Sequence, residues 1–292
     1  MTRNPIYRGR FAPSPTGPLH FGSLIAAVAS YCQARSRQGE WLLRIENLDS
    51  PREVPGASDD IIRTLEAFGF RWDAAISYQQ DRHDYYLAAL EALTQQQLIY
   101  PCTCSRKQTA KRSASIYPGT CRNGPLSGQP IRSWRIRTNA RTIQFNDSIQ
   151  GKVKVPLSEI GDFVLKRGDG IYSYQLTVAV DDALQGITEV VRGFDLLDST
   201  PRQIYVQQQL NYSSPDYAHH PVAIDASGNK LSKQNLAPAI KPQDAQQQLY
   251  HALHFLGQTP PAELASESLE TIWTWAIAHW RLDDIPKCET AT

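Results

Sequence analysis

Two short segments hold the side chains best suited to chemistry. The first is Arg10-Phe11-Ala12-Pro13-Ser14-Pro15-Thr16-Gly17-Pro18-Leu19-His20-Phe21-Gly22-Ser23. It sets a strand end, a rigid proline-rich turn and a helix N-terminus in immediate succession. A helix N-terminus presents unpaired N–H groups and partial positive charge, which suits phosphate. His20 stands at that mouth with a ring N–H to offer. Gly22 lacks a Cβ, so a nucleotide base or ribose can approach the backbone there. The competing reading is a plain strand-to-helix turn with a surface histidine. The second segment, Asn229-Lys230-Leu231-Ser232-Lys233-Gln234, follows the strand-like Val222-Ala223-Ile224. Lys230 and Lys233 can face one polyphosphate, and nucleotidyl transfer asks mainly for such charge stabilisation. Taken alone, a Lys-x-x-Lys is usually a solvated loop.

A third cluster is built on sulfur. Cys102-Thr103-Cys104 is followed by Tyr117-Pro118-Gly119-Thr120-Cys121. Two cysteines one residue apart can bind one metal, and Cys121 adds a third thiolate, although zinc usually takes four ligands. Reduced cysteines in a turn are the alternative. Arg106, Lys107, Lys111, Arg112 and Arg122 surround the cluster, as phosphate grips or simply as a solvated basic loop.

Elements must bring these segments together. Ile6 to Ala12 reads as a strand, and helical spacing of Leu24, Ile25, Val28, Tyr31 and Cys32 predicts a helix after it. Trp41 to Ile45 reads as a buried strand. Asp59 and Asp60 open a helix whose inner face is Ile61, Ile62, Leu65 and Phe68, ended by Gly69. Tyr86, Leu90 and Leu93 mark another helix. Strand, helix, strand, helix with short connections predicts a parallel α/β sheet. Asp162 to Leu165 reads as a strand, and the apolar residues of Tyr174 to Arg192 suggest paired strands. Thr200-Pro201 starts a helix through Leu210, and two or three helices follow Lys241-Pro242.

The expected organisation is residues 1–100 and 142–240 as two halves of a nucleotide-binding domain. Residues 101–141 are an insert and 241–292 a short helical region. The 292 residues carry a net charge of +1, so any nucleic-acid contact must come from local patches. Neither a signal-peptide core nor an apolar run long enough to span a membrane is evident. Five cysteines are too few for a disulfide scaffold in a chain of this size, and a reducing cytoplasm is the expected compartment.

Together, His20-Phe21-Gly22-Ser23 and Lys230-Leu231-Ser232-Lys233-Gln234 resemble the HIGH and KMSKS motifs of class I aminoacyl-tRNA synthetases. The text around them is similar to the glutamyl branch. It includes Leu43-Arg44-Ile45-Glu46-Asn47-Leu48-Asp49, Val180-Asp181-Asp182, Gly186 to Gly193 and Ser199-Thr200-Pro201-Arg202-Gln203. The resemblance spans roughly residues 8 to 240, and as a set these motifs are specific. Only Gln234 to Thr292 follows the lysine loop, a shortness that resembles the glutamyl-queuosine tRNA(Asp) synthetases. Trp273, Trp275 and Trp280 are expected to pack that tail onto the body rather than to stack on RNA.

The resemblance implies a Rossmann-type parallel sheet with a small zinc-binding insert and a short helical tail. It implies glutamate held by Arg10, Phe11, Ala12, Pro13, Ser14, Glu46, Tyr174 and Arg192. The planar forks of Arg10 and Arg192 suit carboxylates, and Glu46 suits the ammonium. It implies ATP held by His20, Gly22, Ser23, Lys230, Leu231, Ser232 and Lys233, with Mg²⁺; His20, Lys230 and Lys233 serve the reaction itself. Structural zinc would take Cys102, Cys104, Cys121 and, on the resemblance, Tyr117. The expected partners are L-glutamate and a tRNA(Asp) bearing queuosine, the chain acting as a monomer. Ser23 replaces the family's second histidine, Leu231 a methionine and Asn47 an aspartate, so altered activation is expected rather than its loss. Three other readings stay open: a short glutamyl-tRNA synthetase, an adenylate-forming ligase of small molecules, and a catalytically dead tRNA-binding module.

Overall fold

The computed structural model describes residues 6–105, 107–109, 116–224 and 238–291. The chain begins with β1 (Arg8–Phe11), α1 (Phe21–Ser36), β2 (Glu40–Ile45), α2 (Ala57–Ala67), β3 (Ser77–Tyr78) and α3 (His83–Gln95). Next come β4 (Ile99–Cys102), β5 (Ser133–Ile136), β6 (Thr142–Asp147), β7 (Gly151–Pro156), the one-turn α4 (Leu157–Ile160) and β8 (Phe163–Arg167). The remainder is α5 (Tyr174–Leu184), β9 (Glu189–Gly193), α6 (Thr200–Gln209), β10 (Asp216–His220), β11 (Val222–Ala223), α7 (Ala245–Phe255), α8 (Leu269–His279) and β12 (Thr290–Ala291).

The expected parallel sheet is present. β1 pairs parallel with β2, and β2 with β3. A second group has the order β7-β6-β10-β9, in which β10 runs parallel to both β9 and β6. The two groups meet where Thr188 N–H donates to the Arg8 carbonyl at 2.9 Å. Ligands of open parallel sheets sit beyond the carboxyl ends of the strands, and that edge is where Ala12, Glu46, Gly193 and Pro221 emerge. A separate antiparallel sheet, β4-β5-β8, carries the cysteine segment.

α1 is buried almost throughout, ten of its sixteen residues having lost nearly all exposure. It therefore needs partners for its polar side chains. Ser30 Oγ accepts from Trp41 Nε1 at 3.0 Å, and Gln33 donates to Glu189 at 2.7 Å while accepting from Trp280 Nε1 at 2.8 Å. The C-terminal helices close over its outer side. Trp273 stacks edge-on against Tyr31 and Phe70 and donates to the Phe68 carbonyl at 2.9 Å. Gly69 ends α2 at φ +81°, and a Cβ there would meet Trp273 Nε1 at 2.9 Å. Trp273 and Trp280 are buried in the main core and Trp275 packs against it, as the sequence led us to expect.

One expectation fails. Tyr174 to Leu184 is a helix, not a strand; only Glu189–Gly193 within the expected pair is extended. Leu176 to Asp182 is buried at every position, so its apolar run has no amphipathic period. Such a run cannot be told from a buried strand by pattern, and the β-branched Thr177, Val178 and Val180 tilt the reading toward strand. Among the described residues, no helix is long and apolar enough to cross a membrane.

Candidate active site

The His20 turn opens onto a cavity of about 310 Å³ at the carboxyl edge of the sheet. Its wall includes Arg10, Phe11, Ala12, Pro13 and Ser14 from the end of β1. His20, Gly22 and Ser23 from the start of α1, Tyr174 from α5 and Arg192 from β9 complete the predicted residues on it. Glu46 faces an adjoining cavity of about 320 Å³, which shares Ser14, Thr16 and Tyr174 with the first. The structure thus gathers ten of the expected residues into one cleft and sets Glu46 behind a shared wall.

Lys230, Leu231, Ser232 and Lys233 lie outside the described residues. Both flanks of their segment reach the cleft. Val222 and Ala223 line the first cavity, while Ala239 bridges to His20 and Ile240 N–H donates to the Leu19 carbonyl at 3.0 Å.

His20 caps α1, its Nδ1 accepting the Ser23 N–H at 3.2 Å. The proton of a neutral ring is then on Nε2, 3.2 Å from Ser23 Oγ. Ser23 therefore takes up that N–H and keeps its own hydroxyl proton to offer. No acidic side chain stands in the first turn of α1, which leaves its dipole unopposed for an anion.

Beneath the cavity lies a charge network that the sequence did not reveal. Asp182 accepts from Arg10 at 3.2 and 3.3 Å and from Arg44 at 2.8 Å. Arg44 is fully buried and also approaches Glu46 at 3.4 Å and Asp181 at 3.8 Å. Asp181 in turn accepts from Gln79, Arg82 and Tyr86 at 2.6 to 2.8 Å. Burial opposes ionisation of Asp182, but Arg10 and Arg44 outweigh it and hold the carboxyl below the usual range. Glu46 goes the other way. Burial pushes it up to about 7 against the pull of Arg44 and Arg10, leaving a carboxylate that gains from an arriving cation.

Arg192 differs from Arg10. It donates to His219 Nε2 at 3.1 Å, Thr200 Oγ1 at 2.7 Å, Gln203 Oε1 at 2.8 Å and Tyr174 Oη at 3.4 Å. Burial raises the Tyr174 phenol, partly offset by Arg192. Asn47, where the resemblance led us to expect an aspartate by the substrate, lines neither cavity; its Oδ1 accepts the Gln80 N–H at 3.1 Å.

The three predicted sulfurs converge. Those of Cys102, Cys104 and Cys121 lie within 4.8 Å of one another, Cys104 and Cys121 at 3.6 Å. A tetrahedron with metal–sulfur bonds of about 2.3 Å has edges of about 3.8 Å, so the spacing suits zinc. The Tyr117 hydroxyl sits 3.3 Å from Cys102 and 3.5 Å from Cys104 and accepts the Cys121 N–H at 2.9 Å. Burial raises the Cys121 thiol, yet hydrogen bonds from Thr103, Tyr117 and Cys104 bring it down to about 6. Of the basic residues nearby, Arg122 is committed to Asp162 at 3.1 Å and the Thr138 carbonyl at 2.5 Å. Arg106, Lys111 and Arg112 lie outside the described residues.

Residues 7–263 match the family of tRNA synthetases class I (E and Q), catalytic domain. The chain is 55% identical over 289 residues to the glutamyl-Q tRNA(Asp) synthetase of Chromobacterium violaceum, covering 97% of this chain and 96% of that one. The chain belongs to the glutamyl-Q tRNA(Asp) synthetase family. Its relative in Pseudomonas aeruginosa is 50% identical over 285 residues, 97% of each chain. In fold, the family's architecture here is shared with a glutamate tRNA ligase from Elizabethkingia meningosepticum, solved in complex with its amino acid. That likeness has a TM-score of 0.81 at 24% identity and covers 97% of this chain but 66% of that one.

Arg44, Asp181, Asp182, Thr200 and Gln203 fall within text that resembles the family, yet sequence reasoning gave them no task. Asp147 and His219 went unnoticed. The available signal was physical: a charged residue inside a buried strand or helix must have an opposite charge or a hydrogen-bond partner.

Proposed function

We propose that the chain activates L-glutamate with ATP, without tRNA, and transfers the glutamyl group to queuosine at the wobble position of tRNA(Asp). The observation that carries this is near full-length identity of 55% to a relative named for that pairing. The cleft's chemistry agrees with it. In the first step a carboxylate oxygen of glutamate attacks the ATP α-phosphorus; an O–P bond forms, the bond to the β-phosphate oxygen breaks, and pyrophosphate leaves. In the second, a hydroxyl of the nucleoside attacks the mixed-anhydride carbonyl and AMP departs. No covalent intermediate on the protein is needed.

In this reading Arg192 and Arg10 orient the substrate carboxylates, with Tyr174 and Phe11 to Ser14 shaping the pocket between them. Glu46 receives the ammonium. His20 and Ser23 offer donors to the triphosphate, Gly22 admits the nucleoside, and Lys230, Leu231, Ser232 and Lys233 are assigned to the phosphates by their motif, the two lysines supplying charge. Magnesium carried by the nucleotide would supply further neutralisation of phosphate charge. Cys102, Cys104, Tyr117 and Cys121 are proposed ligands for a structural zinc that ties the 101–141 insert to the catalytic halves at 1–100 and 142–240, with 241–292 as helical support. All five cysteines are unpaired, which agrees with a reducing cytoplasm; the chain is proposed to act as a monomer.

The test supplies labelled glutamate and ATP with tRNA(Asp) that carries or lacks queuosine, followed by nuclease mapping. Label should appear on the anticodon fragment of the queuosine-bearing tRNA alone. Label on the 3′-terminal adenosine would instead identify a short glutamyl-tRNA synthetase.

A further inference from the structure

Arg192 is 4% exposed, and every partner it has among the described residues is neutral. Arg10 shares the cavity wall with it but is neutralised by Asp182. A buried guanidinium without a carboxylate is costly unless an anion from outside completes it. The way Arg192 is held explains how that charge stays open. Its Nε–H points at His219 Nε2, 3.1 Å away. That nitrogen can accept only if the ring proton is on Nδ1. Nδ1 lies 2.5 Å from Asp147 Oδ2. The carboxylate is itself fixed, Oδ1 accepting the N–H groups of Gln150 at 2.8 Å, Ile149 at 3.0 Å and His219 at 3.1 Å. Burial, joined by the charges of Arg192 and Arg10, lowers the His219 pKa against the pull of Asp147, consistent with a neutral ring.

We propose that Asp147 and His219 form a positioning relay that orients Arg192 through a neutral acceptor, so that its charge is left for a carboxylate of the substrate. Asp147 fixes the tautomer, His219 transmits the direction as a lone pair, and the imidazole keeps the carboxylate one ring away from the guanidinium. A direct Asp or Glu at position 219 would orient Arg192 equally well and quench it. Thr200 and Gln203 extend the same pattern, both being uncharged acceptors. The inference deepens the proposed function, since it rests on Arg192 meeting the substrate carboxylate.

The experiment measures tRNA-independent ATP–pyrophosphate exchange for the full chain and for H219E, H219Q, D147N and R192Q, with KM for glutamate and for ATP taken separately. H219E should raise the glutamate KM about tenfold or more and leave the ATP KM within about twofold. H219Q, which keeps a neutral acceptor, should stay within about threefold for both. D147N, which releases the tautomer, should fall between them, and it carries the test if H219E does not fold. A residue with a purely structural task would lower the active fraction, and with it kcat, without moving the glutamate KM. If R192Q raises the glutamate KM while H219E and D147N do not, the relay is wrong and the reading of the site survives. If R192Q leaves the glutamate KM unchanged, the reading of Arg192 itself falls.

Discussion

Glu46 offers the sharpest quantitative check. Its carboxyl is displaced upward from an ordinary 4.5 to about 7, first by burial and then by Asp182 and Asp181, against Arg44 and Arg10. That interval, at about 1.4 kcal/mol per pH unit, corresponds to about 3 kcal/mol. The folded chain therefore binds more protons than the unfolded chain between about pH 4.5 and 7, and stability must fall as pH rises through that window. Below it the penalty is absent; above it the penalty is complete. Glu46→Gln removes the ionisable group and nearly keeps the shape. Its stability relative to the parent should improve by about 3 kcal/mol between pH 4 and pH 8, read as the pH dependence of the difference in urea unfolding. Contributions that do not titrate, such as the lost contact to Arg44, cancel in that difference.

The same proton competes with the substrate ammonium. Glutamate affinity of the parent chain, followed by calorimetry, should strengthen about tenfold per pH unit below 7 and level off above it. In E46Q it should be weak and flat across the range. A stability difference that does not change with pH, or a glutamate affinity in the parent that is flat from pH 5.5 to 8, would refute both the buried-carboxylate account and the ammonium role.

Arg10→Ala should abolish glutamate-dependent ATP–pyrophosphate exchange while binding of a fluorescent ATP analogue persists; retained exchange would remove Arg10 from the pocket. Elemental analysis of the purified chain should find one zinc per molecule, reduced to background in the Cys104→Ser, Cys121→Ser double variant, and a metal-free parent would dismiss the site. Trp273→Ala should cost about 3–5 kcal/mol in urea unfolding, because it empties a large buried site and strands the Phe68 carbonyl. A loss below about 1 kcal/mol would show that the C-terminal helices contribute little to the main core.

How far the sequence could be read depended on the range over which each signal acts. β1, α1, β2 and α2 were legible because their periodicity and end residues, such as Asp59 and Gly69, are local. α5 was not, because burial on every side erased the helical period. The cysteines stood out as candidate metal ligands by residue type, whereas tyrosine is so unusual a zinc ligand that Tyr117 entered only by resemblance; its hydroxyl lies beside two of the sulfurs. The buried network was hidden by distance along the chain: Arg44 and Asp182 are separated by 138 residues and Asp147 and His219 by 72. Nothing in a single sequence states that such residues meet.

That hidden layer changes how the visible residues must be understood. Arg10 and Arg192 read as an equivalent pair of carboxylate forks, each at the end of a strand. In the folded chain, Arg10 is one member of a balanced cluster, with Asp182 shared between it and Arg44. Its loss would unbalance a buried carboxylate as well as remove a ligand, so part of any effect of Arg10→Ala belongs to the scaffold. Arg192, held by neutral groups, contributes little to internal charge balance. Substituting it should alter glutamate binding with a smaller change in stability than Arg10 produces. Comparing the two variants by urea unfolding and glutamate KM separates a cation that completes the protein from one that the substrate completes.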